Sequence, residues 1–436
     1  MRIKLIFILG FVFTVSVNAQ VKSIEGFWKG EIVKDGKSWS VEVDICKTKN
    51  LLNGAFNLPD YGLYNLTFKT INLNDSVITL FFADKNSKAT FEGTLKGNTI
   101  SGKWEGLGLR ATFSIQRKKR KNTTPHQFNS EDIIFSNADA TLSRTLILPE
   151  GKGPFPAIVQ VHGSGNQTRS EDFYRSRAYL FAEQGIAVLI YDRRGKGQST
   201  GTDVSMELLA DDAIAGVNKL KSNPRIKKTK IGIMGFSQGG YVGPLAASRS
   251  SDIAFLIVGS APGITPDEQN DFDVENALRN RRVSEDTIRY VLTLKNIRNY
   301  QYSGLGDKAE LANSVNGIRS KAWFKNTLLT DVSIEQAEVG VKEWLSFDPL
   351  PIWKKVKVPK LLVWGELDNV VPALKSKELI EKVLNEKSDK NYVMKIFENS
   401  GHGISIVNNR SSWDWPRLAE GYNDLLISWT KQTVNR

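Results

Sequence analysis

The stretch TKIGIMGFSQGGYVG, residues 229–243, holds a short apolar run followed at once by a serine set among glycines. Ile231, Ile233 and Met234 have the length and spacing of a buried parallel strand. Gly235-Phe236-Ser237-Gln238-Gly239, followed by Gly240, fits G-x-S-x-G between a predicted strand and a predicted helix, the context this motif requires. A serine turned sharply out of a strand takes strained backbone geometry with close neighbours on both sides, so the flanking positions admit only residues without a Cβ. The turn exposes Ser237 Oγ and aims the free N–H groups of the next helix at the same point. Such a turn also arises by chance in Gly/Ser-rich segments, so its partners decide.

Outward from this stretch, residues 131–436 alternate strand and helix. Strands are predicted at 133–136, 145–148, 157–161, 186–191, 253–258, 360–364 and 392–397, with helices at 170–184 and 206–220 between them. Repeated strand–helix–strand units imply an α/β fold, a mostly parallel twisted sheet covered on both faces. The strand ends carry glycine-rich turns. His162-Gly163-Ser164-Gly165 follows the third strand, and Asp192-Arg193-Arg194-Gly195-Lys196-Gly197-Gln198-Ser199 the fourth. Gly365-Glu366-Leu367-Asp368-Asn369-Val370-Val371-Pro372 and Asn399-Ser400-Gly401-His402-Gly403 follow the last two. In this order the turns resemble those of the α/β-hydrolase superfamily over nearly all of 131–436: oxyanion loop, D-x-R-G-x-G-x-S turn, nucleophile elbow, acid-bearing G-x-x-D-x-x-V-P turn and histidine loop. The chain order Ser, Asp, His is that of the superfamily.

The resemblance implies a division of roles. Serine is a poor nucleophile without a base in contact. Of the three histidines, His126 lies in a polar linker and His162 in the oxyanion loop, where it braces the turn; His402 is left as the base. Asp368 would hold its tautomer and stabilise its cation, with Glu366 and Asp348 the nearest substitutes. The oxyanion hole is assigned to the backbone N–H groups of Gln238 and Ser164, with Gly165 as the alternative second donor. Asp192, Arg193 and Arg194 are expected to brace loops beside the site. No metal site or cofactor is expected: Cys46 is the single cysteine, and no phosphate- or dinucleotide-binding motif is present.

Residues 262–345 depart from the simple fold: roughly eighty residues stand where one short connection suffices. They are polar and helical in pattern, and in this superfamily an insertion here normally caps the site. Phe272, Tyr290, Tyr300, Tyr302, Trp323, Phe324 and Trp344 are expected to line a pocket beneath it. The implied activity is that of a serine hydrolase cleaving small carboxylic esters through an acyl-enzyme. One alternative is a peptidase of the aminopeptidase or oligopeptidase kind, in which Asp267, Glu268, Asp271 or Asp273 of the cap holds a peptide amine. A further alternative is a non-catalytic carbohydrate- or envelope-binding protein on a hydrolase scaffold. The joint presence of Ser237, Asp368 and His402 argues against that one.

Residues 20–117 read as a separate small antiparallel β domain, a barrel or sandwich. Alternating runs at 27–33, 39–45, 63–73, 77–82, 90–95, 99–104 and 110–115 are separated by turn signals. Gly26-Phe27-Trp28-Lys29-Gly30 and Gly102-Lys103-Trp104-Glu105-Gly106 look like equivalent strands packed on each other, and their beginnings resemble the G-x-W of lipocalin-like barrels. The tryptophans are expected in the core. Cys46 falls on the Glu42/Asp44 side of its strand, opposite Val41, Val43 and Ile45. Residues 118–130 form a basic, polar linker, so the β domain, which holds no motif residue, is expected to be dispensable for turnover of small esters.

Residues 1–19 read as a secretory signal: Arg2 and Lys4 precede an apolar run, and Val17-Asn18-Ala19 is a small-residue cleavage site. The run is short for a membrane span, and no cysteine follows it for lipid attachment. Export to a periplasmic or extracellular location is expected, with no integral anchor after cleavage. Hydrophobic content of 40% and charged content of 24% suit a globular protein. The net charge of +12 is concentrated in part at residues 117–121, and no nucleic-acid-binding motif accompanies it, so the expected partner is a small-molecule ester. Oligomeric state is not written in these patterns.

Overall fold

Two hydrophobic periodicities in the chain produce two sheets. The computed structural model describes the chain apart from residues 1–22, 49–50, 84–87, 107, 120–128, 166–167, 170–171, 203–204, 303–307, 330–343 and 408–416. The expected signal segment, His126, most of the basic linker and the 330–343 part of the insertion lie outside the described residues. The chain divides into two compact units, Met1–Ala55 with Thr67–Asn122, and Phe56–Leu66 with Thr123–Arg436.

The N-terminal sheet is antiparallel, with nine strands in the order β4-β3-β2-β1-β9-β8-β7-β6-β5. They are β1 Gly26–Lys34, β2 Lys37–Thr48, β3 Leu51–Leu58, β4 Leu63–Thr67, β5 Thr70–Asn74, β6 Val77–Ala83, β7 Lys88–Lys96, β8 Thr99–Gly106 and β9 Leu109–Lys118. Period-two alternation puts Trp28, Ile32, Val41, Val43, Ile45, Phe91, Ile100, Trp104 and Ile115 inside. Cys46 is half-buried on the opposite face of β2. Strand β3 was not expected, because only Phe56 and Leu58 of its eight residues are buried and no clear alternation marks it. The run 63–73 is not one strand but two, broken at Phe68-Lys69, so that β4 and β5 end up at opposite edges of the sheet. The Phe68 N–H donates to Gly54 O of β3 at 2.9 Å and the Lys69 N–H to Phe81 O of β6 at 2.7 Å, so the two residues at the break bond to both ends of the sheet and curl it. The two Trp-Gly strands, β1 and β8, flank β9 and do not pair with each other.

The second sheet has eight strands in the order β10-β11-β13-β12-β14-β15-β16-β17. The hairpin of β10 Asn129–Asn137 and β11 Ala140–Leu148 is antiparallel; it is longer than the two short opening strands expected. The remaining strands, β12 Phe155–Val161, β13 Ala187–Tyr191, β14 Ile226–Phe236, β15 Phe255–Gly259, β16 Lys360–Gly365 and β17 Tyr392–Phe397, run parallel. Parallel strands need crossovers, and the intervening amphipathic segments supply helices to both faces. Helices α2 Met206–Lys221, α3 Gly239–Arg249, α7 Leu350–Lys355 and α8 Ala373–Glu386 close one core, which includes Val159, Leu189, Ile233 and Val258. Helices α1 Asp172–Glu183 and α9 Tyr422–Asn435 close the other over Ile158, Val188, Met234 and Ile257.

The insertion after β15 contributes α4 Pro266–Arg279, α5 Glu285–Tyr302 and α6 Lys308–Ile318. They enclose a small core of their own, built from Val274, Leu278, Ile288, Val291, Leu294, Leu311, Val315 and Phe324. Lys295, fully buried, joins α5 to α4 by ion pairs with Asp267 at 2.6 Å and Asp271 at 2.9 Å.

Candidate active site

Strand β14 ends at Phe236, α3 begins at Gly239, and Ser237 takes the turn between them at φ +53°. The glycines here have a steric reason. A Cβ on Gly235 would lie 2.3 Å from Gly239 O, and one on Gly240 2.6 Å from Ala261 Cα. Gly163 lies across from the serine, its Cβ direction pointing at Ser237 Cβ from 3.7 Å, so the loop after β12 sits against the turn after β14. The Gln238 N–H, next to Ser237 at the head of α3, donates to no described residue.

Two neighbouring residues at the end of β15 hold the serine and the histidine loop together. The Ser237 N–H donates to Gly259 O at 3.0 Å, and Ser260 Oγ donates to His402 O at 2.7 Å. His402 Nδ1 lies 2.9 Å from Asp368 Oδ2. The Asp368 carboxylate is fully buried, and its Oδ1 also accepts the N–H groups of Val370 and Val371, each at 2.9 Å. These two bonds and the imidazole fix its rotamer. Glu366, the nearby substitute, is used otherwise: its Oε2 accepts the Asn399 N–H at 3.0 Å and shapes the histidine loop. Asp348 accepts the Leu350 N–H at the start of α7. Among the described residues no hydrogen bond joins Ser237 Oγ to His402. Such contacts are commonly long before substrate binds.

The turn after β13 divides its labour. Asp192 accepts the Gln198 N–H, closing its own loop, and the Arg169 N–H of the loop after β12. Buried Arg194 clamps Asp212 of α2 with Nε and Nη2, at 3.0 and 2.7 Å, and reaches Asp139. Arg193 does more than the expected bracing: Nη1 donates to Gly163 O at 2.5 Å and also to Gln238 Oε1. One guanidinium thus ties the loop after β12 to Gln238, the residue that follows Ser237. The motif alone could not single it out, because the neighbouring Arg194 is chemically identical in sequence. His162 packs edge-on against Tyr174 and Tyr191, with ring centroids 5.0 and 4.6 Å away. Burial, reinforced by the Arg193 charge, pushes its pKa down to about 3, so the imidazole stays neutral and serves packing.

The insertion meets the site through α4. Gln269 Nε2 donates to Val370 O at 2.9 Å and Asn276 Nδ2 to Asn369 O at 3.2 Å, which seats the helix on the turn that carries Asp368. The aromatic lining expected of the insertion is corrected in part. Phe324 is buried in the insertion's own core, Trp323 packs against that core, and Trp344 packs on the main core. Tyr290 is exposed, whereas Phe272 on α4 is half-buried. The side chains of Tyr300 and Tyr302 lie outside the description. A short piece before the linker also belongs to this unit: within Phe56–Leu66, Asp60 O accepts the Leu418 N–H at 3.0 Å, and Leu418 bridges to Ser405, three residues past His402.

The family model of serine aminopeptidase, S33, matches residues 153–296, and that of the prolyl oligopeptidase family matches residues 316–419. The chain belongs to the α/β-hydrolase superfamily. Esterase EstD of Thermotoga maritima is 26% identical over 309 residues, 69% of this α/β-hydrolase and 66% of EstD. Acyl-coenzyme A thioesterase 1 of Mus musculus is 34% identical over 119 residues, 26% of each chain. The α/β-hydrolase thus covers only part of either curated relative. Among solved structures, the Pyrococcus furiosus esterase Pf2001 is similar at a TM-score of 0.44 and 18% identity, over 70% of this chain and 93% of that one.

Proposed function

We propose that the protein is a serine hydrolase of carboxylic esters, with Ser237 as nucleophile, His402 as base and Asp368 as its orienting acid. The observation that carries the reading is the buried Asp368 carboxylate on His402 Nδ1, in a loop anchored through Ser260 beside the strained Ser237 turn. Attack by Oγ on the ester carbonyl transfers its proton to His402 Nε2. The oxygen that becomes negative is met by the N–H groups of Gln238 and Ser164. Collapse expels the alcohol, protonated by the imidazolium, and leaves an acyl group on Ser237, which water removes by the same route. The similarity to EstD favours an ester over a peptide bond.

The test is turnover of p-nitrophenyl acetate against an aminoacyl-p-nitroanilide, with labelling of Ser237 by a fluorophosphonate. Faster anilide cleavage would move the protein to the peptidase reading, and absence of labelling would sink the serine mechanism. Export is proposed from the apolar segment after Arg2 and Lys4; N-terminal sequencing of protein from the cell envelope should read from Gln20, and a chain still starting at Met1 would refute it.

Arg193 is assigned as a positioning residue. Gly163 C=O and Ser164 N–H belong to one peptide unit, so a cation on that oxygen both orients the plane and strengthens the N–H as a donor. Arg193→Met should lower kcat by roughly 10- to 1000-fold with KM little changed. Affinity for a phosphonate transition-state analogue should weaken by a similar factor. A loss of thermal stability with unchanged kcat would reduce the arginine to a brace.

A further inference from the structure

Of the acidic side chains on α4, most are already engaged. Asp267 and Asp271 bind Lys295, the Glu268 carboxylate accepts the Thr265 N–H in the helix cap, and Glu275 pairs with Arg279. Asp273 differs. Among the described residues nothing hydrogen-bonds or ion-pairs with its carboxylate, although it is half-buried. It stands four residues after Gln269 and three before Asn276, the two side chains that seat α4 on Val370 and Asn369. Residues at this spacing share one helix face, so Asp273 faces the same turn. The ionisable groups whose influence reaches it are those of His402 and Asp368. Burial pushes its pKa up and Asp368 adds to that, while His402 pulls it down.

A half-buried carboxylate without a partner is costly unless a ligand supplies one, and the complement of a lone carboxylate is a cation. The position of the histidine says which half of the substrate would carry it. His402 returns its proton to the leaving oxygen, so groups beside the imidazole meet the alcohol half of an ester, not the acyl half.

We propose that Asp273 selects esters whose alcohol half bears a positive charge close to the scissile bond. This rests on the esterase reading above. An amine on the acyl side, as in an aminopeptidase substrate, would lie on the other side of the reacting carbonyl. A polyanionic leaving group such as a coenzyme A thiol would be repelled.

The experiment compares kcat/KM of the full chain for butyrylcholine and for 3,3-dimethylbutyl butyrate, its neutral isostere with carbon in place of nitrogen. A second matched pair places the trimethylammonium group on the acyl side of a p-nitrophenyl ester. The wild type should prefer the cationic alcohol by about tenfold or more, the scale of one partly desolvated charge pair. In Asp273→Asn that ratio should fall to near unity, in Asp273→Glu it should largely persist, and in Glu275→Gln it should be unchanged. Ratios within one protein are insensitive to the fraction folded. If the wild type turns over p-nitrophenyl acetate yet shows no preference, or prefers the cation on the acyl side, the Asp273 assignment is overturned and the esterase reading stands. If no ester is hydrolysed at all, the esterase reading falls and takes this one with it.

Discussion

Ser237→Ala should abolish hydrolysis of activated esters, with kcat falling by roughly 10⁴–10⁶, the range for loss of a nucleophile that works as a unit with its base. The fold should be unaffected. Ser237 sits in the left-handed region whichever of the two residues is present, and its Oγ makes no hydrogen bond among the described residues, so the substitution breaks no described contact. The glycines that make room for the turn are untouched. Thermal melting should therefore match the wild type, while fluorophosphonate labelling disappears. Wild-type turnover in the folded variant would remove Ser237 from the reaction.

The second large effect is expected at Asp368. In Asp368→Asn the side-chain oxygen can still accept the Val370 and Val371 N–H groups, which turns the amide NH₂ toward His402 Nδ1. A donor there stabilises the tautomer protonated on Nε2, which cannot take the proton of Ser237. We expect kcat to fall by about 10⁴, less than for His402→Ala, because the acid acts only through the base. Titration of the imidazole by NMR would show the tautomer change directly. Glu366→Gln should have a much smaller effect, since that carboxylate caps the Asn399 N–H. A crippled Glu366→Gln beside a silent Asp368→Asn would move the acid two residues toward the N-terminus.

Local sequence was informative wherever backbone geometry excludes alternatives. Gly235 and Gly240 are legible because a Cβ at either collides with neighbouring backbone, Gly239 because one there would press on His162 O at 3.0 Å, and a buried parallel strand shows as a continuous apolar run. The weakly amphipathic strand β3 was not legible. Its exposed Leu51 and two buried residues give no period to detect, and the break between β4 and β5 has no proline or turn glycine to announce it. The insertion was readable as helical, but the destinations of its aromatics were not. The spacing of Tyr290 and Phe324 does not distinguish a pocket wall from solvent or from the insertion's own core.

By itself, the sequence determined the α/β order of elements, the strained serine turn and the succession of loops that bear Asp368 and His402, because each depends on spacing within a few residues. Tertiary structure alone decided three matters. It separated Arg193, which reaches Gly163 and Gln238, from Arg194, which is spent on Asp212. It picked Asp273 out of a row of acids by giving the others partners. It also joined Phe56–Leu66, which lies before the basic linker and was expected to be dispensable, to the unit that holds His402, through the bond from Leu418 N–H to Asp60 O. Each of these depends on which surfaces meet across tens or hundreds of residues, and no local period records that.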